Sequence, residues 1–195
     1  TLKGKYMKQI YLIIGLMFTL TACDKSHNAS ESRKKGNSTN INQFTTDSKG
    51  LSKVKAIIKT VHGNITFKFY PKDAPNTSTR ISHLIKKGFY DGITFHRVIK
   101  NFVVQAGDPT GTGTSGSGVK LKAEFNNRQH IRGTVAMARA GNDVDSADSQ
   151  FYIALSTLPH LNGKYTVFGQ VIDGDDILDK IAKGDKILSM VISDK

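Results

Sequence analysis

The sequence predicts a mainly β domain in which short strands form one closed sheet and two helices pack against it. Three observations lead to this prediction. Apolar residues alternate with polar ones over several short stretches, and only two stretches place apolar residues at helical spacing. The regular strand–helix alternation that is typical of an α/β fold is missing, which favours an all-β closed sheet.

The first strands are predicted as a pair within residues 54–70, joined by a turn at residues 62–64. In the second of them Ile65, Phe67 and Phe69 alternate with polar residues. Successive side chains of a strand point to opposite faces, so this strand has one buried and one exposed face.

The first helix is predicted to follow, because Asp73 and Pro75 are residues that begin helices and Gly88 is one that ends them. Its apolar stripe consists of Ile81, Leu84 and Ile85. Further strands are predicted at residues 95–104, 134–137, 150–155, 165–171 and 187–192. The second helix is predicted at residues 175–182, with Ile177, Leu178 and Ile181 facing inwards and Gly184 after its end.

The N-terminal 22 residues have the pattern of a secretory signal peptide. Three lysines precede an apolar run over residues 10–22, which is shorter than the roughly 20 residues of a membrane-spanning helix. The sequence Leu20-Thr21-Ala22-Cys23 resembles the lipobox of bacterial lipoprotein precursors. This resemblance implies that Cys23 becomes the first residue of the mature protein and carries acyl chains such as palmitate. The alternative is an incidental cysteine in an apolar leader.

Residues 23–52 are predicted to be a flexible tether, because Ser, Asn, Thr, Lys and Gly dominate them and few apolar residues are available for burial. Residues 53–195 are the predicted globular domain. The formal net charge is +12, but part of it lies in the leader and the tether, where attraction to anionic lipid is the simpler use. We therefore expect no nucleic-acid binding. Cys23 is the sole cysteine, which excludes an internal disulfide bond.

One run of the sequence is chemically unusual: residues 95–108, Phe-His-Arg-Val-Ile-Lys-Asn-Phe-Val-Val-Gln-Ala-Gly-Asp. It places Arg97 and Gln105 in an otherwise apolar, strand-like stretch, with Phe102 between them. An arginine among apolar residues is costly unless it has a partner or a task. A second run, residues 133–141, leads into Asp-Ser-Gln-Phe-Tyr-Ile-Ala at residues 148–154.

Together the two runs closely resemble the cyclophilin family of peptidyl-prolyl cis/trans isomerases, over roughly residues 53–193. The resemblance implies an eight-stranded antiparallel barrel capped by two helices, and an enzyme that accelerates rotation about X–Pro bonds. This reaction forms no covalent intermediate, so no cofactor and no metal are expected. The six scattered histidines also suggest no metal site.

The resemblance assigns the site residue by residue. It implies that Arg97, Phe102 and Gln105 are catalytic, with Arg97 stabilising the proline nitrogen as it becomes pyramidal. The implied substrate-binding residues are Val103, Ala138, Arg139, Gln150, Tyr152, His160, Leu161 and Tyr165. Without the resemblance, Arg97 could be a surface arginine paired with a carboxylate, and the apolar residues could belong to the core. His96 beside Arg97 suggests a general base, but bond rotation transfers no proton, and a structural histidine is the simpler interpretation.

Three positions depart from the best-known eukaryotic members. Val103 replaces a methionine, which keeps the pocket wall apolar. His160 replaces a tryptophan and Tyr165 replaces a histidine, and these two substitutions resemble bacterial members. The missing indole removes a hydrogen-bond donor and a large apolar face from the binding site of the inhibitor cyclosporin. We therefore predict weak cyclosporin inhibition in a peptide assay, and inhibition at nanomolar concentrations would contradict this prediction.

Residues 111–116 match the G-x-G-x-x-G spelling of a dinucleotide-binding loop. No helix is predicted after them and no βαβ unit surrounds them, so a flexible loop beside the substrate groove is the better interpretation.

The sequence as a whole predicts a lipid-anchored bacterial isomerase on the extracytoplasmic side of the cell membrane, in the periplasm if the cell is Gram-negative. It would act, as a monomer, on proline-containing segments of exported proteins. Two alternatives remain: a peptide-binding or chaperone module in which turnover is incidental, and a surface-exposed adhesin or antigen.

Overall fold

A computed structural model describes residues 48–194, which form eight strands, three short α-helices and a 3₁₀ turn at Pro159–Leu161. The strands are β1 (Lys55–Thr60), β2 (Gly63–Phe69), β3 (Arg97–Ile99), β4 (Val103–Ala106), β5 (Thr134–Met137), β6 (Phe151–Ala154), β7 (Val167–Asp173) and β8 (Ser189–Ser193). The helices are α1 (Ser48–Leu51), α2 (Pro75–Lys86) and α3 (Asp175–Leu178).

All eight strands belong to one antiparallel sheet with the order β3-β4-β6-β5-β7-β2-β1-β8. The mainly β fold is therefore confirmed, but the predicted closure is wrong. The end strands β3 and β8 form no ladder with each other over residues 48–194. Only the segments before them approach, where the Phe95 N–H donates to the Asp185 carbonyl oxygen at 2.8 Å. At Leu188 the chain already bonds to Lys59 of β1, so β8 departs from β3 and the barrel stays open.

The two faces of the sheet carry different apolar clusters. The inner face holds the main core, whose largest fully buried side chains include Tyr90, Phe67, Phe95, Phe151 and Phe168. The outer face of β4, β5, β6 and β7 carries a smaller cluster of Val103, Ala136, Tyr152, Ala154, Leu158 and Val167. Strand alternation produces this division, because Val104 and Ile153 point inwards while Val103 and Tyr152 point outwards.

Helix α2 begins at Pro75 and buries the predicted stripe of Ile81, Leu84 and Ile85. Asp73 does not cap it. The distant Glu124 does so instead, because its carboxylate accepts the Asn76 and Thr77 N–H groups at 2.9 and 2.8 Å. These N–H groups have no partner within the helix, and the helix dipole also favours a carboxylate at this end.

Helix α3 is one turn long instead of the predicted two. Asp185 explains its early end, because its carboxylate accepts the Ala182 N–H at 2.8 Å and its own N–H donates to the Ala182 carbonyl oxygen at 3.1 Å. These bonds fold residues 182–185 into a turn that leads to the pairing with Phe95. The buried Ile177 and Leu178 still pack into the main core, as predicted.

The predicted signal peptide, Cys23 and most of the tether lie outside the described residues. The last residues before the predicted domain start form α1, in which Leu51 is buried in the main core. Within residues 48–194, no helix has the length and apolar character needed to cross a membrane.

Candidate active site

Four neighbouring strands place the predicted site residues in one row on the outer face of the sheet. Arg97 of β3 lies directly opposite Gln105 of β4, and Gln105 lies opposite Tyr152 of β6. Tyr152 in turn lies opposite Ala136 of β5. Residues that are opposite one another in a ladder have side chains on the same face, so the register brings Arg97, Gln105 and Tyr152 together.

Arg97 is exposed at the edge of the sheet. Its Nη1 donates to Gln105 Oε1 at 3.3 Å, and its guanidinium carbon lies 5.4 Å from the centroid of the Phe102 ring. Within residues 48–194 no carboxylate lies within ion-pair distance of it, unlike Arg128 and Arg132, which both pair with aspartates. Most of its donors therefore remain available to a ligand.

Phe102 reaches the site through a tight turn. The turn at Lys100 and Asn101 joins β3 to β4, and Asn101 adopts a left-handed conformation with φ 59°. Asparagine tolerates this conformation better than most residues. The turn breaks the alternation between Arg97 and Phe102, which is why both side chains reach the same pocket.

Two glutamines continue the polar row away from Arg97. Gln105 Nε2 donates to Gln150 Oε1 at 2.9 Å. Gln150 Nε2 then donates to the carbonyl oxygens of Gly113 and Ser115, at 3.1 and 2.8 Å. Each amide thus accepts on one side and donates on the other, so the chain of bonds has one direction, from the guanidinium to the glycine-rich loop.

The site contains a cavity of about 160 Å³, lined by both apolar and polar side chains. Its lining contains most of the residues that the sequence predicts for substrate binding: Arg97, Phe102, Val103, Gln105, Ala138, Arg139, Tyr152, Leu161 and Tyr165. Two predicted residues lie at its margin. Gln150 bonds to Gln105, and the exposed His160 stacks on Phe102 with ring centroids 6.0 Å apart.

A second, wider depression of about 440 Å³ adjoins this cavity. It shares Gln105, Ala138 and Arg139 with the cavity, and the glycine-rich loop forms its other side. The loop lies beside the groove, as predicted, and no helix follows it. An extended chain in the first cavity has room to continue into the second.

The sequence gives no signal for one residue that fixes this site, the fully buried His130. Its Nδ1 lies 3.1 Å from Asn162 Oδ1 and its Nε2 lies 2.8 Å from the Tyr152 hydroxyl. An amide oxygen accepts only, so Nδ1 carries the proton and Nε2 accepts from Tyr152. His130 thereby ties Tyr152 to the segment that contains Leu161.

Burial lowers the pKa of His130, although its bond to Asn162 raises it in part. A histidine with a depressed folded pKa binds fewer protons than in the unfolded chain, so stability falls as the pH drops below about 6.5. We expect His130→Gln to reduce the slope of this fall and to cost about 1–2 kcal/mol at pH 7.5. Urea unfolding at pH 7.5, 6.5 and 5.5 measures both effects.

The exposed His160 provides the matched control. His160→Gln makes the same replacement at an exposed position, so comparing the two variants isolates the effect of removing a buried imidazole. Burial also lowers the pKa of His96, whose ring nitrogens are buried with no hydrogen-bond partner in the described structure, so part of the slope remains in His130→Gln. Identical slopes in the wild type and His130→Gln would contradict the prediction.

Comparison with known proteins agrees with this fold. Residues 54–193 match the family model described as "Cyclophilin type peptidyl-prolyl cis-trans isomerase/CLD". A peptidyl-prolyl cis-trans isomerase of Helicobacter pylori strain 26695 is 47% identical over 142 residues, which cover 71% of this chain and 86% of that protein. Peptidyl-prolyl cis-trans isomerase B of Bacillus subtilis is 46% identical over 123 residues, 62% of this chain and 85% of that protein.

Among solved structures, a cyclophilin type peptidyl-prolyl cis-trans isomerase of Cryptosporidium parvum, crystallised in the presence of the dipeptide Ala-Pro, superposes with a TM-score of 0.67. It is 32% identical in sequence, and the match covers 71% of this chain and 98% of that one. Fold and relatives together define a peptidyl-prolyl cis-trans isomerase. The chain belongs to the cyclophilin family of these enzymes.

Proposed function

We propose that Arg97 is the electrostatic catalyst of X–Pro rotation in this isomerase. The observation that supports this role is an exposed guanidinium that lines a cavity beside the apolar side chains Phe102 and Val103, without a carboxylate partner in the described structure. Resonance in the peptide bond creates a rotation barrier of about 18–20 kcal/mol. As the bond twists, the proline nitrogen becomes pyramidal and gains a lone pair, and a charged donor stabilises that form more than the planar ground state.

Gln105 and Gln150 orient the Arg97 guanidinium through hydrogen bonds. Gln105 Oε1 holds one Arg97 nitrogen, and Gln105 is itself fixed by Gln150. A long arginine side chain on an exposed edge strand would otherwise sample many rotamers, and restricting them reduces the entropy lost in the transition state. We assign Gln105 a second role as a hydrogen-bond partner of the substrate backbone.

The cavity holds the proline ring. Phe102, Val103, Tyr152 and Leu161 supply apolar walls, and about 160 Å³ is enough for a five-membered ring. Ala138 and Arg139 belong to both depressions, so they are placed to contact the residues that precede proline.

The direct test is cis/trans exchange of a short X–Pro peptide, followed by NMR exchange spectroscopy with residues 24–195. This chain keeps every described residue. We expect catalytic amounts of the protein to bring exchange from tens of seconds into the sub-second range. If the folded protein left the exchange rate at its spontaneous value, the proposal would be refuted. The protein would then be interpreted as a module that binds peptides without turnover.

The site of action is proposed from the N-terminal sequence. We infer that cleavage before Cys23 and acylation of its thiol anchor the domain to the outer side of the cell membrane, where exported proteins fold. Cys23→Ser should move the protein from the membrane fraction to the soluble fraction and abolish labelling with palmitate. Membrane retention of an unlabelled Cys23→Ser protein would contradict the anchor.

The rival function, a peptide-binding module with incidental turnover, has support from the 440 Å³ depression beside the cavity. Cells that carry Arg97→Ala separate the two functions. A phenotype that survives when turnover is lost would assign the biological role to binding.

A further inference from the structure

The outer face of β8, β1 and β2 differs in chemistry from the site row. The register sets Lys55 of β1 directly opposite Lys68 of β2. In the next row outwards Ile57 lies opposite Val191 of β8, and Lys59 follows on the other side of this apolar pair. We call these five residues the lysine face.

The charge of the lysine face is not balanced within the described structure. Lys55, Lys59 and Lys68 form none of the ion pairs found over residues 48–194. The three strands contain no acidic residue. Asp173 of β7 lies opposite Thr66 of β2, and Asp194 follows β8, but neither forms an ion pair with these lysines in the described structure.

Like charges directly opposite each other in a ladder destabilise a sheet, so the pairing of Lys55 with Lys68 is unfavourable. The Tyr70 ring, whose centroid lies 5.7 Å from Lys68 Nζ, offsets part of this cost, and an external anion would offset more.

The apolar residues of the lysine face indicate which kind of anion it binds. Val191 is 37% exposed, and the neighbouring β7 exposes Ile172 by 44%. Aliphatic side chains between lysines suit a bilayer surface, where lysines reach lipid phosphates and short apolar groups enter the headgroup region. Single-stranded nucleic-acid sites combine basic residues with aromatic rings on which bases stack. The ring beside Lys68, that of Tyr70, is already covered by Arg128 at 3.9 Å, and the exposed side chains between the lysines are aliphatic, which favours lipid.

The position of the face in the sheet is also informative. The site row occupies β3, β4, β6 and β5, whereas the lysine face lies on β2, β1 and β8 at the other end of the strand order. The sheet curls far enough that Phe95, before β3, bonds to Asp185, before β8. In a sheet curled into a barrel, β1 therefore lies across the barrel from β4 and β6.

We propose that the lysine face is a docking surface for anionic phospholipid bilayers, which holds the domain with its isomerase site directed away from the membrane. The proposal goes beyond turnover and beyond the lipid anchor. Binding through the lysine face requires neither catalytic turnover nor acylation of Cys23, because the lysine face lies within residues 48–194 and is separate from the site row.

Co-sedimentation with vesicles tests the proposal on residues 24–195, without the leader and without acylation. One set of vesicles contains phosphatidylcholine alone and is neutral. The other contains phosphatidylcholine with about 30% anionic phosphatidylglycerol, which gives the vesicle a negative surface potential like that of a cell membrane. We expect the wild type to bind the anionic vesicles only. Lys55→Gln/Lys59→Gln/Lys68→Gln should weaken this binding about tenfold or more.

The matched control removes three exposed lysines from elsewhere, Lys87→Gln/Lys122→Gln/Lys183→Gln, which changes the net charge equally. We expect it to bind within about twofold of the wild type. If both triple variants lost the same amount of binding to anionic vesicles, net charge alone would explain the binding, and the proposal would be overturned. A wild type that binds a DNA oligonucleotide but no anionic vesicle would also overturn it.

A fluorescent reporter tests the orientation, because the chain contains no tryptophan. Val191→Trp on the lysine face should shift its emission to the blue and be quenched by brominated lipid when anionic vesicles are added. Val144→Trp, in a loop outside the three strands, should do neither. Quenching at position 144 and not at 191 would overturn the proposed orientation, whatever the isomerase activity.

Discussion

Replacing Arg97 with alanine is expected to lower kcat/KM for an X–Pro peptide by about 10²–10³-fold, which corresponds to about 2.7–4 kcal/mol of transition-state stabilisation. In the proposed mechanism, the guanidinium that lines the cavity is the charged donor to the rotating bond. Its removal leaves the apolar walls in place, so peptide binding should change much less than turnover. The measurement is NMR exchange of the peptide, with KM taken from the same titration.

Arg97→Lys separates charge from geometry. Lysine keeps the positive charge but offers no planar set of donors that can hold Gln105 and the substrate together, so we expect intermediate activity. The fold should tolerate both changes, because Arg97 is exposed and, among residues 48–194, its side chain bonds to Gln105 and contacts the Phe102 ring without forming an ion pair. An alanine variant within about threefold of the wild type would refute the catalytic role.

The sequence was sufficient to predict the strands that have one buried face. Ile65, Phe67 and Phe69 alternate with polar residues because β2 covers the main core on one side only, and the period of two is visible without a structure. The site residues could be predicted because two long runs resemble a known family. Those runs specify residue types and spacing in the chain, but not contacts.

Partners that are distant along the chain could not be predicted. Gln105 and Gln150 meet because β4 pairs with β6, and the alternation of either strand gives its buried face but not its neighbour. The cap of α2 by Glu124 has the same origin, since a nearby Asp73 is the better candidate when only local sequence is considered. His130 lies in a polar stretch without periodicity, so nothing in the sequence marks it as buried.

The openness of the barrel is likewise a tertiary property. A count of strands predicts a closed sheet, but closure needs both end strands to run alongside each other. β3 is three residues long, and the backbone bond of Leu188 to Lys59 directs β8 towards β1. Local sequence gives strand lengths only approximately, and the direction of a strand after a turn depends on such distant bonds.

The largest expected effect on stability belongs to Asp108, a fully buried carboxylate at the start of the glycine-rich loop. Its oxygens accept from the Thr110 N–H at 2.7 Å and hydroxyl at 2.8 Å, and from the Gly113 and Ser115 N–H groups at 2.6 and 3.2 Å. Burial by itself raises the pKa of this carboxyl, but these hydrogen bonds outweigh burial and hold the pKa well below its usual range. The loop is thus folded around one charge.

Asp108→Asn keeps the shape and replaces an accepting oxygen with an NH₂ group that faces backbone donors. We expect it to lower the free energy of unfolding by about 3 kcal/mol at pH 7, measured by urea unfolding. The carboxyl has a lower pKa in the folded state than in the unfolded state, where it is near 4. Its charged form therefore stabilises the fold above pH 4, and this stabilisation is lost as the pH falls below 4. The difference between wild type and variant should therefore shrink between pH 4 and pH 2. Asp173→Asn makes the same replacement at an exposed site and should change the free energy of unfolding little at pH 7.

The same substitution tests the connection between the loop and the site. Gln150 donates to the Gly113 and Ser115 carbonyl oxygens, so a displaced loop removes the support of Gln150 and, through Gln105, of Arg97. At a temperature where Asp108→Asn remains folded, we expect kcat/KM to fall about tenfold, the effect of losing one hydrogen bond worth about 1.4 kcal/mol in the transition state. A destabilised variant with full activity would show that Gln105 alone orients the arginine.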